Sequence, residues 1–152
     1  MPLSDTGGEP HEHPLIHNLG YAGLIPLVGL ALLIWLVTPD LQAWVALALA
    51  SYAALITSFL GGIHWGIGWS RLTRVPGSKT HFLWGVMPAL LAWPGLVMPP
   101  YAGLAWLGLV LIVCYLVDRK LYAQAGLGAW LKLRFRLSAV AALSCFIGAG
   151  AL

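Results

Sequence analysis

Charge is what this sequence has least of. Charged residues make up 9% of its 152 residues and hydrophobic ones 60%, against roughly 25% and 45–50% in ordinary globular domains. A surface that faces water cannot be assembled from so few ionic groups. A soluble domain is therefore excluded, and lipid must be the solvent for most of the chain. Acids are the scarcer sign, five against eight Lys and Arg. The net charge of +3 does not point to nucleic acid, because phosphate recognition needs a basic face in water. Here the basic residues flank apolar runs, as topology signals do.

Other absences narrow the reading further. The two cysteines, Cys114 and Cys145, lie inside apolar runs at different depths. No disulfide is expected, and both read as small apolar side chains. No nucleophile–base pair, P-loop, dinucleotide fingerprint or Cys/His metal spacing occurs, so no catalytic residue, cofactor or metal is assigned. The first residues have neither the basic start and small-residue cleavage site of a signal peptide nor the Arg-rich character of a transit peptide. On that basis the expected home is a bacterial inner (cytoplasmic) membrane.

What is present is a set of five apolar runs, at 19–38, 41–69, 82–98, 101–117 and 137–152. Each is long enough to cross, or nearly cross, a hydrocarbon core about 30 Å thick. They are apolar all round, without the alternation of barrel strands. The expected fold is all-α and polytopic: one domain of five transmembrane helices over 19–152, after a polar tail over 1–18. Arg71, Arg74 and Lys79 fall between the second and third runs. Arg119, Lys120, Lys132, Arg134 and Arg136 fall between the fourth and fifth. Five crossings put both basic links on one side, and the positive-inside rule makes that side cytoplasmic, N-in and C-out. The third run carries Pro88 and Pro94 and is expected to cross with a kink, as Pro26 is expected to kink the first. Trp44, Trp65, Trp69 and Trp130 suit the membrane interfaces, as do Trp84, Trp93 and Trp106. Asp40 is expected to cap the second helix. The segment 121–133 mixes apolar and polar residues and is expected to lie flat on the inner surface.

The stretch SFLGGIHWGIGW, residues 58–69, concentrates the polar interest. Ser58, Gly62 and Gly66 recur every four residues, a small-residue stripe expected to receive a neighbouring helix. At roughly 100° per residue His64 sits on another face with Thr57, Gly61 and Gly68. Gly61 would then clear room around the imidazole. Asp118, Arg134, Arg136 and Tyr115 reach the same depth from the inner ends of the fourth and fifth helices, so a polar cluster is expected there. Three uses of His64 compete. It could be a satisfied structural residue tying helices together, a site for a proton, quinone or lipid headgroup, or a haem or metal ligand. No convincing second ligand supports the last. His11-Glu12-His13, with His17 beyond, has the look of metal ligands, but Pro10 and Pro14 bracket it and a solvated tail is expected.

Five stretches occur in order: LGYAGLIP (19–26), SFLGGIHWG (58–66), MPALLAW (87–93), Asp118-Arg119, and LRFRLS (133–138). In these the chain resembles the bacterial domain-of-unknown-function 3429 family, which is transmembrane protein 69-like. Gly85, Arg136 and Ser138 depart from the serine, proline and threonine usual there. The resemblance implies an integral inner-membrane protein whose signature centres on Gly61, Gly62, His64, Trp65 and Asp118, and it assigns no catalysis. The functional expectation is a non-catalytic accessory or assembly subunit of a larger, energy-converting membrane complex, with the bilayer and other integral subunits as partners. The alternative is a small carrier or sensor with a His64–Asp118 site. A quinone- or haem-dependent enzyme comes last.

Overall fold

The computed structural model describes residues 14–71 and 78–152, apart from the Arg71 side chain. Among these it is all helical: α1 (Pro14–Ala22), α2 (Leu24–Leu36), α3 (Pro39–Arg71), α4 (Ser78–Val97), α5 (Pro100–Gln124) and α6 (Leu131–Gly150), with one 3₁₀ turn at Gly128–Trp130. α1 and α2 together form one span, so five stretches are long and apolar enough to cross a membrane. The helices cover nearly all of the five runs and extend past most of their ends.

Proline sets several of the boundaries. Pro26 has no N–H to offer the carbonyl of Ala22, and its ring crowds that carbonyl. α1 accordingly stops at Ala22, and the first span is broken there rather than merely bent. Pro39 and Pro100 open α3 and α5, where the missing donor is no loss. Asp40 lies in the first turn of α3, where a carboxylate meets the positive end of the helix dipole. α4 carries Pro88 and Pro94 in its interior and still runs from Ser78 to Val97.

The segment expected to lie flat on the membrane takes another form. α5 continues past Asp118 to Gln124 and is closed by a Schellman motif. Gly126 adopts φ +75°, its N–H reaches the Ala123 carbonyl at 3.2 Å, and the Leu127 N–H reaches that of Tyr122 at 2.9 Å. Leu127 packs on Tyr122, the apolar contact that accompanies this stop. One 3₁₀ turn later α6 begins. The glycines turn the chain, so no separate surface helix forms.

The interior follows one spacing. Ala46, Ala50, Ala53, Thr57, Leu60, His64 and Ile67 are buried along α3, three or four residues apart. His81, Gly85, Pro88, Ala92 and Gly95 repeat the pattern on α4, and Arg134, Ser138, Ala141, Cys145 and Gly148 on α6. Alternating threes and fours give the near-parallel packing of membrane bundles. α3 touches each of α2, α4, α5 and α6 and forms the centre. It meets α4 at Gly61, where a methyl group would run into the carbonyl oxygen of Gly85. Large apolar side chains point outward, Leu36 at 81% exposure and Leu83 at 73%. His64, Asp118, Arg134 and Ser138 point inward and are buried. A fold with these polar groups inside and so many large apolar side chains on its outer surface is built for lipid.

Candidate functional site

Each of α3, α4, α5 and α6 contributes one or two polar groups to a cluster at one end of the bundle. Asp118 on α5 is 1% exposed and His64 on α3 is fully buried. His64 Nε2 lies 2.7 Å from Asp118 Oδ1, and the Trp84 indole N–H of α4 donates to the same oxygen at 2.9 Å. Arg134 of α6 donates from Nη2 to Oδ2 at 2.9 Å. One carboxylate thus gathers donors from α3, α4 and α6. Arg134 Nη1 also donates to Ser138 Oγ, one turn further along α6.

The proton positions follow from these partners. A carboxylate only accepts, so His64 Nε2 carries a hydrogen. In a neutral imidazole that leaves Nδ1 as an acceptor. The group facing it is His81 Nδ1 at 3.0 Å, which must then donate. His64 is held between two rings: His81, with centroids 5.3 Å apart and planes 25° apart, and Tyr122 at 5.1 Å and 35°. Asp118 and Arg134 are opposite in charge and paired at 2.9 Å, so each offsets the cost of burying the other. The cluster ties together the ends of four helices.

Residues 13–150 match the model of a family described as a protein of unknown function, DUF3429. The chain belongs to this family. A stretch of 79 residues is 40% identical to Transmembrane protein 69 of Xenopus tropicalis, covering 52% of this chain and 31% of the relative. The match therefore spans less than a third of that relative's length. No solved structure matches the chain.

Of the residues expected to cluster in this DUF3429 chain, His64, Asp118 and Arg134 come together. Arg136 and Tyr115 do not. Two residues along a helix is roughly 200° of rotation, so with Arg134 inside, Arg136 faces out and donates to the Tyr21 hydroxyl at 3.3 Å. Tyr115 lies on a neighbouring face of α5, against Phe135 at 5.4 Å. Sequence reasoning read Trp84 as an interface anchor, and it gave no role in the cluster to His81, Tyr122 or Ser138. The three-four stripe of α4, with His81 in line with Gly85 and Pro88, carried the signal for His81.

The packing residues divide differently from expectation. Gly61 is the one that receives a helix. Ser58, Gly62 and Gly66 face outward, and a methyl on either of these glycines would meet nothing within 4 Å. Trp44, Trp65 and Trp69 are exposed. Trp65 and Trp69 meet Phe82 edge-on at 5.3 Å and 5.9 Å, while Trp130 is half-buried in the α5–α6 link. Cys114 and Cys145 are free and buried. Among the described residues no three His, Cys, Asp or Glu are grouped as a metal ion needs. His11, Glu12, His13 and Arg74 lie outside the described residues.

Proposed function

We propose that this chain is a non-catalytic accessory or assembly subunit of a larger membrane complex, of a respiratory or other energy-converting kind, in a bacterial inner membrane. The observation that carries the reading is the face formed by Ser58, Gly62 and Gly66. It lies along the central helix, yet no helix among the described residues occupies it. In lipid, where apolar burial supplies little drive, small residues are what let another backbone approach closely. The basic ends of the spans would face the cytoplasm. Gly62→Leu would block that approach from outside while leaving the bundle intact. Purification in mild detergent should then recover the chain without the subunits that accompany the native protein. A native protein that purifies as this chain alone would overturn the proposal.

A second reading rests on the buried His64–Asp118 pair, since ionisable groups inside membranes often serve protons or ligands. In that case the chain is a small carrier or sensor. The two readings part at His64→Ala. A protein that inserts and accumulates but has lost its function supports the second. One that fails to accumulate assigns His64 to the architecture.

A further inference from the structure

Beside the cluster, between α1, α2, α3, α5 and α6, lies a partly open cavity of about 480 Å³. Its walls are apolar side chains such as Leu24, Phe59, Ile63 and Leu137. One end is different: Tyr122, Arg134 and Ser138 line it there. Tyr122 is 4% exposed and Arg134 7%. The Tyr122 hydroxyl and Arg134 Nε are buried and complete no hydrogen bond among the described residues. Arg134 lies beside the Tyr122 hydroxyl and can donate to its oxygen, but the hydroxyl's own hydrogen is then still without an acceptor, and buried donors are rarely left unmet in a native protein. The three hydrogen bonds of Asp118 go to His64, Trp84 and Arg134 Nη2, not to these two groups.

We infer that this cavity binds a membrane amphiphile through an uncharged carbonyl oxygen, its apolar tail lying along α1 and α3. A carbonyl oxygen has two lone pairs and can accept from Arg134 Nε and the Tyr122 hydroxyl together. A carboxylate or phosphate would also accept, but Arg134 is already balanced by Asp118, and a further anion would stand uncompensated in a buried site. The cavity volume falls within the range of roughly 300–1,000 Å³ common for small-molecule sites. Two membrane components present this chemistry, the ring carbonyl of an isoprenoid quinone and the ester carbonyl of an acyl lipid. The inference is independent of the accessory-subunit reading, since it concerns another face and other residues.

The test uses the full chain in nanodiscs, with quenching of tryptophan fluorescence as the readout, because Trp130 lines the cavity. Decyl-ubiquinone and a phosphatidylethanolamine brominated in its acyl chain serve as the probes. Saturable quenching by one of them is expected, and which one identifies the source of the carbonyl. Tyr122→Phe should weaken that binding about 3- to 10-fold, the loss of one hydrogen bond. Leu24→Phe narrows the apolar wall without touching the cluster or adding a fluorophore that reports, and should weaken binding at least about 10-fold. If Tyr122→Phe does not accumulate, Leu24→Phe decides alone. Quenching that neither variant alters, or no saturable quenching by either probe, overturns the site. Oleate at alkaline pH displacing both probes overturns the choice of an uncharged headgroup.

Discussion

A carboxylate offers about four lone-pair sites, and Asp118 commits three of them to donors from α3, α4 and α6. Removing its charge leaves Arg134 buried without a counter-ion. Asp118→Asn should therefore destabilise by about 3–5 kcal/mol, the cost of breaking a buried pair from one side, read as a lower unfolding temperature in detergent. Trp84→Phe removes one donor and keeps the aromatic bulk, so about 1 kcal/mol is expected from the same measurement. An Asp118→Asn protein as stable as the native one would show that the ion pair does not organise the bundle. His64 and Asp118 were legible in the sequence because charge and imidazole stand out in apolar surroundings. Trp84 and Tyr122 were not, because an aromatic ring near a span end looks the same whether it anchors the interface or turns inward.

Among the helices, backbone contact matters more than side-chain bulk. At the α3–α4 crossing there is no room for a methyl group between Gly61 and Gly85. Gly61→Leu should force the two helices apart and cost more than about 3 kcal/mol, the upper part of the usual overpacking range. Gly62→Leu, one residue away and facing open space, should leave unfolding unchanged. That contrast between neighbours is measurable by paired thermal scans, and equal effects would contradict the crossing. The sequence marked small residues on this helix but could not tell which face meets a neighbour, since both faces carry glycines. Span ends were equally ambiguous. Asp118, Arg119 and Lys120 resemble the end of a membrane run, yet α5 continues for six more residues after Asp118, to Gln124. Asp118 can stay inside because its partners come from other helices, and those are invisible in a one-dimensional pattern.

For the whole molecule, lipid as the solvent was evident from composition, and so was the number of spans, because apolar runs count themselves. The relation between spans was not. The cluster joins the C-terminal parts of α3 and α5 to the N-terminal parts of α4 and α6, so both basic links lie at one end of the bundle. Single cysteines at Lys79 and Lys132 should then react with an impermeant maleimide from the same side of the membrane. Labelling from opposite sides would rule out this arrangement. The Asp118–Arg134 pair also bears on biogenesis. In order of synthesis the span that holds Asp118 precedes the one that holds Arg134. A lone charge of either kind costs roughly 2.5–3.5 kcal/mol at a span centre and less toward its ends, and together the two neutralise one another. A polypeptide truncated before its last span would display an orphaned acid in the membrane, a ready mark for the proteases that clear unfinished proteins.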